Sequence, residues 1–377
     1  MSQEEFFNRQ VASADLGQYF HLERGDFAYN KSYSAGYPAG VVRNLDLYDS
    51  GVVSPLYICF RVDSRVADPS FVMHYFESGI LNDAILGIAK EGVRNHGLLN
   101  VKVGDFFSLD VNLPSLDEQR RITEILDAVN EQISVNREIV EKLQRVREGV
   151  LDHLFADGTV EGRCGASTQV GEIPDSWRVA SLRELCDIDS GGTPSRAEGD
   201  IFFSTSGTPW VKTLDLNEGW IRATSECVTD LAIRQTRLRI YPPGTVLVAM
   251  YGGWAQIGRT GCLAVPATVN QAVCALRVKA EVIPEFLMLA LQHGRFRWRR
   301  FAASTRKDPN ITKSDVCDFL VPVPSISEQE SIVQVVDSYS DRLRGELEVG
   351  QRLESLRKAL MDDVLTGCVR VPVSAKR

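Results

Sequence analysis

Long hydrophobic runs are missing from this 377-residue sequence. No stretch approaches the roughly 20 apolar residues that a membrane-spanning helix needs, and the first residues lack the pattern of a signal peptide. The eight cysteines are scattered and include no Cys-x-x-Cys pair, which argues against both a metal site and a disulfide framework. We therefore expect a protein of the reducing cytoplasm that does not engage a membrane.

Catalytic motifs are missing as well. The sequence has no Gly-x-x-x-x-Gly-Lys phosphate loop, no convincing glycine-rich loop for S-adenosylmethionine and no Asn-Pro-Pro-Tyr-type motif of base methylation. The histidines are dispersed without metal-ligand spacing: His21, His74, His96, His153 and His293. These absences predict a non-catalytic chain that holds no metal or cofactor of its own.

The most informative feature that is present is a two-copy repeat. Leu113–Gln119 matches Val323–Gln329, and the matches continue through Leu143 and Leu353. Two copies so far apart are not a solenoid, whose repeats recur about every 20 to 50 residues. Each copy begins with Pro-Ser and acidic residues, which suit the start of a helix. We predict one long helix over residues 114–157 and another over residues 324–366, each following a globular domain.

Hydrophobic residues recur at heptad spacing in both predicted helices and in the same phase, which is typical of a coiled-coil seam. Two unrelated core helices are the alternative, but they would not explain the shared phase. The predicted seam positions are Ile122, Ile125, Val129, Ile139, Leu143, Val146 and Val150, and in the second copy Ile332, Val335, Tyr339, Val349, Leu353, Leu356 and Leu360. The predicted polar seam positions are Gln132 and Asn136, and in the second copy Arg342 and Glu346.

The segments ahead of the helices, residues 1–113 and 177–323, have the texture of short strands punctuated by glycine and proline. They share weak similarity, for example between Asp68–Phe71 and Ile283–Phe286, so the whole domain-helix unit is duplicated. Much of residues 177–238 has no counterpart in the first domain. The first domain is therefore either a small variant or, as we favour, incomplete at its N-terminus.

The predicted fold is α+β. Two domains with irregular β-rich cores are separated by two long helices packed as an antiparallel coiled coil, with internal pseudo-two-fold symmetry. Residues 158–176 are predicted to be a linker and residues 367–377 a C-terminal tail. A protein with two-fold symmetry suits a two-fold target, and duplex DNA is such a target.

The charge distribution restricts how DNA could be bound. The net charge of the chain is −8, with −5 in residues 1–113, −4 in 114–158, +2 in 159–323 and −1 in the remainder. Much of the acid lies in the helices, as expected for solvated or partner-facing charge. DNA binding would need local basic patches and the help of a basic partner.

Several further segments, taken in order, make the sequence resemble the specificity subunits of type I restriction-modification systems. They are Gly25–Lys31, Gly92–Asn100, Gly191–Ser195 and Pro209–Lys212. The resemblance implies two target-recognition domains that each read half of a split DNA sequence. It also implies two conserved helical regions that dock two methyltransferase (M) subunits, with restriction (R) subunits joining through the complex. S-adenosylmethionine, ATP and Mg would belong to those partners. The start of the first domain departs from the family pattern, which puts in doubt whether that domain reads its half of the DNA sequence.

Turns and one arginine-rich segment supply the candidates for DNA contact. The arginines of Arg295–Phe301 could neutralise phosphates or read guanine, or they could be the solvated face of an amphipathic helix. The turns could equally be plain surface loops. The predicted DNA contacts are Asn30, Lys31, Arg94, Asn95, His96, Thr193, Ser195, Arg196, Lys212, Arg259, Arg295, Arg297, Arg306 and Lys307. The residues predicted for helix packing or partner docking are Glu118, Gln119, Ile122, Leu143, Glu328, Gln329, Ile332 and Leu353.

We therefore predict a non-catalytic subunit that recognises DNA sequence and binds a methyltransferase. The alternative is a coiled-coil scaffold that assembles partners without reading DNA.

Overall fold

The computed structural model describes residues 17–33, 36–89, 99–159, 165–302 and 309–372. Five predicted DNA contacts lie outside the described residues: Arg94, Asn95, His96, Arg306 and Lys307. The chain divides into two compact units, one made of residues 1–139 with 346–377 and the other of residues 140–345. Each unit therefore combines one domain with parts of both long helices, so the units differ from the consecutive domains that the sequence predicts.

The first unit contains a small α+β domain. Its strands are β1 (Phe20–Glu23), β2 (Phe27–Asn30), β3 (Val41–Asn44), β4 (Ser50–Val53) and β5 (Ile58–Phe60). Its helices are α1 (Pro69–Glu77), α2 (Asn82–Ile88) and α3 (Val103–Phe107). The strands form an antiparallel β1–β4 pair and a sheet in the order β3-β2-β5. The carboxylate of Asp68 caps α1 by accepting hydrogen bonds from the amides of Ser70 and Phe71.

The two long helices are α4 (Leu116–Asp157) and α9 (Ile326–Leu365), which confirms the two predicted long helices. In the first unit they run antiparallel. The Asn136 amide donates to the backbone and carboxylate oxygens of Glu346, both at 3.1 Å, and Arg357 donates to Asn130 at 2.6 Å. The core of this unit includes Ile122 and Leu126 of α4 together with side chains near the end of α9: Met361, Val364 and Leu365.

The second unit contains the larger domain. Its first strands are β6 (Ala166–Thr168), β7 (Gly171–Ile173), β8 (Arg178–Ser181), β9 (Cys186–Ser190), β10 (Phe203–Ser204), β11 (Thr208–Val211), β12 (Trp220–Ile221) and β13 (Cys227–Val228). The strands that follow are β14 (Val246–Ala249), β15 (Thr260–Leu263), β16 (Thr268–Val269), β17 (Val273–Val278) and β18 (Leu320–Val323). Its short helices are α5 (Leu182–Leu185), α6 (Asp230–Gln235), α7 (Pro284–His293) and α8 (Lys313–Asp318).

The larger domain has a central sheet in the order β12-β15-β14-β17-β9 and a smaller sheet in the order β10-β13-β11-β16. Every residue of β14 is buried, as expected for the centre of a covered sheet. Helix α7 packs against the central sheet, and its Phe286 lies 5.6 Å from Phe155 of α4 in a stacked arrangement. Ile332 and Val336 of α9 join the same core.

The predicted linker is partly folded, so that prediction is wrong for its described part. Strands β6 and β7 pair as an antiparallel hairpin, and Ile173 is buried in the core of the second unit. The short strands escaped prediction because three residues each are too few for a clear periodicity.

The predicted seam is correct in spacing but partly wrong in phase. The buried positions of α4 include the predicted Ile122 and Asn136 but also Leu126 and Ile133, which were not predicted. The predicted seam residue Val146 and the predicted polar position Gln132 are exposed. The second copy repeats the error, since the predicted positions Val335, Arg342, Val349 and Leu356 are exposed. Hydrophobic residues also occupy positions beside the seam, and a heptad count cannot tell these neighbouring rows apart.

Candidate nucleic-acid interface

Gln119, at the start of α4, is fully buried and holds the first domain onto the helix. Its side-chain oxygen accepts a hydrogen bond from the Asp68 amide at 2.8 Å. Its side-chain nitrogen donates to the backbone oxygens of Val66 at 3.3 Å and Pro114 at 2.8 Å. Because Asp68 is the residue that caps α1, Gln119 joins the starts of two helices within the unit.

Gln329 makes the same three contacts at the start of α9 and is also fully buried. It accepts from the Ile283 amide at 2.9 Å and donates to the backbone oxygens of Glu281 and Pro324, both at 3.0 Å. Ile283 precedes α7 as Asp68 precedes α1. The prediction that Gln119 and Gln329 dock a partner is wrong, because their polar atoms are buried in contacts within the chain.

The neighbouring glutamates are also bound within the chain. The buried carboxylate of Glu118 pairs with Arg370 at 2.8 and 2.5 Å and accepts from the Val371 amide at 3.1 Å. The hydrogen bond from Arg370 is the largest cause that holds the pKa of Glu118 below its usual range. Glu328, in the second copy, accepts from the amide of Thr159 at 3.2 Å. Glu118 is thus unsuited to partner docking because it is buried and neutralised.

The hydrophobic members of the same predicted group face inward. Ile122 and Ile332 are buried in the cores of their units, which fits a packing role. Leu143 and Leu353 are partly buried on the helices.

The second domain presents a charged surface that lies over two buried aromatic rings. We call it the Arg196 surface, made of Arg196, Lys212 and Glu226 with the underlying Phe203 and Trp210. The Arg196 guanidinium lies over the rings of Phe203, at 4.1 Å, and Trp210, at 5.0 Å. It pairs with both carboxylate oxygens of Glu226, at 2.6 and 3.0 Å. The Lys212 ammonium reaches the same carboxylate at 3.2 Å. One carboxylate therefore holds two cationic side chains above the aromatic rings.

This surface remains open to a ligand. The Arg196 side chain is 54% exposed, and its hydrogen bonds to Glu226 are the largest cause that lowers the pKa of that carboxyl. The guanidinium has five donors, so a bidentate pair leaves others for a phosphate or a guanine edge. The loop carrying the exposed Thr193 and Ser195 is fixed beside it, because the Trp210 indole donates to the Gly192 oxygen at 3.1 Å. The structure thus brings four predicted contacts together.

The arginine-rich segment forms a short 3-10 helix, Arg295–Arg300, rather than an amphipathic α-helix. The Arg297 guanidinium is buried, donates to the Leu320 oxygen at 2.8 Å and lies over the Phe319 ring. Burial lowers the pKa of Arg297 to about 10. The prediction that Arg297 contacts DNA is therefore wrong, because the aromatic residues of this segment draw its backbone into the core.

Arg295 is committed to contacts within the domain. It pairs with Glu218 at 2.9 Å and donates to the backbone oxygens of Ala255 and Ile257. Arg259 donates to the Gln256 side chain at 3.2 Å. An open cleft of about 210 Å³ remains here, lined by Trp254, Ile257, Arg295, Phe296, Trp298 and Arg299. Arg299 and Phe296 are exposed, so they are better placed for an external contact than Arg295 and Arg297 of the same segment.

In the first domain, the predicted contacts have local roles. The Asn30 side chain accepts from the Ser32 amide at 3.0 Å, and Lys31 is partly buried. Arg61 was missed by the sequence analysis. It is well exposed and pairs with Asp26 and Glu23, which lie more than 30 positions away in sequence.

Three exposed arginines of the second domain were also missed: Arg222, Arg234 and Arg237. None of them makes an ion pair with another described residue, which leaves their charges available. All three lie within residues 177–238, most of which the first domain lacks. That lack of a counterpart was the one sequence signal that could have pointed to them.

Among the described residues, no group of three or more His, Cys, Asp or Glu side chains could hold a metal ion. Neither long helix, nor any other described helix, has the length and apolarity to cross a membrane.

Residues 174–355 match the family model of the type I restriction modification DNA specificity domain. The chain is also 25% identical to the type I restriction enzyme MjaVIII specificity subunit of Methanocaldococcus jannaschii, over 85% of this chain and 75% of that one. The chain is therefore similar to the type I restriction-modification specificity subunits, most clearly in residues 174–355. It is also 20% identical to the type I restriction enzyme HindI specificity subunit of Haemophilus influenzae, over 92% of this chain and 87% of that one.

Two solved structures share the fold of this chain. One comes from work on complex assembly and conformational transition of the type I R-M system, with a TM-score of 0.59, 20% identity and coverage of 94% and 85% of the two chains. The other is the S subunit from M. genitalium, with a TM-score of 0.57, 15% identity and coverage of 90% and 82%. These structures match the mixed architecture of long helices and β-rich domains.

Proposed function

We propose that this chain gives DNA sequence specificity to a type I restriction-modification complex by binding a bipartite target, one half per domain. The observation that carries the proposal is the match of residues 174–355 to a DNA specificity domain, since the Arg196 surface lies within that segment. An exposed guanidinium stacked on aromatic rings is suited to bind phosphate or guanine. Because the rings hold the guanidinium in place, less side-chain entropy is lost on binding.

The partners follow from the same role. Two methyltransferase subunits would bind the duplicated domain-helix units, since equivalent surfaces bind equivalent partners. Restriction subunits would join through them, and S-adenosylmethionine, ATP and Mg would be bound by the partner subunits. This chain would then contribute recognition without catalysis, in the cytoplasm. Because Glu118, Gln119 and Gln329 are buried, the docking surface would use other, exposed positions of the long helices.

Sequencing of methylated DNA from cells that express the complex tests the proposal. The wild-type complex should methylate one bipartite motif. The double variant Arg196→Ala/Lys212→Ala should bind DNA more weakly, and each lost phosphate contact should lower the salt slope by roughly one unit. If Arg196 reads a base, the loss should concentrate at one position of the motif and be about 1–3 kcal/mol.

Arg183→Ala is the matched control, because Arg183 is as exposed as Arg196 but pairs with Asp318 elsewhere on the domain. A complex that assembles normally but methylates no defined motif would support the scaffold alternative instead. Equal effects of the double variant and the control would remove the Arg196 surface from the interface.

A further inference from the structure

Arg357 joins three elements of the first unit. Its Nε donates to the Asn130 side chain of α4 at 2.6 Å, and a terminal nitrogen donates to Glu77, the last residue of α1, at 3.1 Å. The side chains of Arg357 and Glu77 are each 26% exposed, so the pair is partly shielded from solvent. One guanidinium therefore ties the domain to both long helices.

Arg147 does the same in the second unit. Its Nε donates to the Ser340 hydroxyl of α9 at 3.0 Å, and a terminal nitrogen donates to Gln292 of α7 at 3.1 Å. The same two nitrogens of the guanidinium are used in both units. In each, one contacts the opposite long helix and the other contacts the end of a domain helix.

These contacts lie at matching positions of the duplicated sequence. Arg147 and Arg357 occupy the same place in the two copies, as do Asn130 and Ser340. The Asp68–Phe71 and Ile283–Phe286 alignment, continued along α1 and α7, brings Glu77 onto Gln292. The partner identities differ between the copies, but the geometry is kept. Chance surface contacts would not be expected to recur at three matched positions.

We propose that Arg147 and Arg357 are positioning residues that fix each recognition domain on the helices packed against it, and so set how strictly the spacer between the half-sites is measured. The proposal rests on the proposed function in bipartite DNA recognition. A domain that can tilt on its helices presents its DNA surface over a range of positions and tolerates more than one spacer. The planar fork of arginine suits this role, because a lysine ammonium cannot keep both directions fixed.

The test uses the complex with its methyltransferase and a duplex that carries the motif found for the wild type. Binding is measured at the native spacer and with the spacer one base pair longer or shorter. In Arg357→Lys and Arg147→Lys, the preference for the native spacer should fall about tenfold, as expected for the loss of a charge-assisted hydrogen bond. The preference for the correct bases within each half-site should stay as in the wild type.

Two further variants separate positioning from general stability. Glu77→Gln gives the first copy the amide that the second copy has in Gln292, so its spacer preference should remain that of the wild type. Arg137→Ala removes an exposed pair with Glu354 between the long helices without touching a domain, and should also leave the preference unchanged. Glu77→Ala is less informative, because Glu77 also pairs with Arg43 at 3.2 Å.

A lysine variant that keeps the wild-type spacer preference, whether or not its melting temperature falls, would overturn the positioning role. An equal loss of spacer preference in Arg137→Ala would overturn it too, since the effect would then belong to the helices alone. Failure of the wild-type complex to recognise any bipartite motif would instead reject the proposed function.

Discussion

Replacing Gln119 or Gln329 by alanine should destabilise one unit selectively. Each glutamine is fully buried and makes three hydrogen bonds to backbone groups of its own unit. The alanine variant leaves one amide and two carbonyl groups without that partner, and it leaves a small cavity beside them.

The magnitude follows from the three groups. A buried polar group that loses its partner costs about 1–3 kcal/mol, although water entering the space would recover part of it. We expect each variant to lower the free energy of unfolding of its unit by about 2–4 kcal/mol. At a urea m-value of about 1–3 kcal/mol/M, the midpoint should fall by roughly 1–2 M.

The tryptophans allow the two units to be followed separately. All five, Trp177, Trp210, Trp220, Trp254 and Trp298, lie within residues 140–345. Gln329→Ala should therefore shift the urea transition seen by tryptophan fluorescence. Gln119→Ala should shift a transition seen by circular dichroism and leave the fluorescence transition near that of the wild type.

Gln132→Ala is the matched control, because Gln132 lies on α4 but is exposed. It should change the free energy of unfolding by less than about 0.5 kcal/mol. Midpoints for Gln119→Ala and Gln329→Ala that match this control would refute the conclusion that the two side chains hold the domains.

Three further predictions concern the seam, the buried arginine and the Glu118–Arg370 pair. Leu126→Asp should unfold the first unit in circular dichroism, because a carboxylate would be buried without a partner, whereas Val146→Asp at an exposed position should melt like the wild type. Arg297→Met should leave the salt slope of DNA binding unchanged, while Arg196→Met should lower it. Arg370 keeps the pKa of Glu118 low, so the stability lost in Arg370→Ala should be greatest at neutral pH. This difference in melting temperature should shrink as the pH falls below about 4, and a constant difference would contradict the assignment.

The architecture was accessible from the sequence because it is duplicated. A repeated helix start and a repeated heptad pattern are local signals, and they located both α4 and α9 to within a few residues. Whether Ile125 or Leu126 is buried could not be predicted in this way. Both are hydrophobic, and the domain that packs against the helix decides which of them is buried.

The candidate interface could be predicted from the sequence only in part, for a different reason. Arginine-rich sequence drew attention to Arg297, but Trp298 and the Phe319 ring pull that segment into the core. Arg196 and Lys212 were selected from turns, yet the acid that gathers them, Glu226, is 30 positions from Arg196 in sequence. A contact between side chains so far apart in the chain has no local signature, so the sequence identified the cations but not their arrangement.

The duplicated and unduplicated parts of the chain have different roles. Gln119 and Gln329 recur with backbone partners at equivalent positions, and Arg147 and Arg357 recur with side-chain partners at equivalent positions. The attachment of a domain to its helices is therefore what duplication preserved. The Arg196 surface lies largely within residues 177–238, most of which have no counterpart in the first domain. If two equivalent partners are to bind, both domains must be attached to the helices in the same way. If the two half-sites differ, the residues that recognise them must differ between the domains. These residues are therefore placed as expected for a subunit in which two different recognition domains are attached in the same way to the long helices.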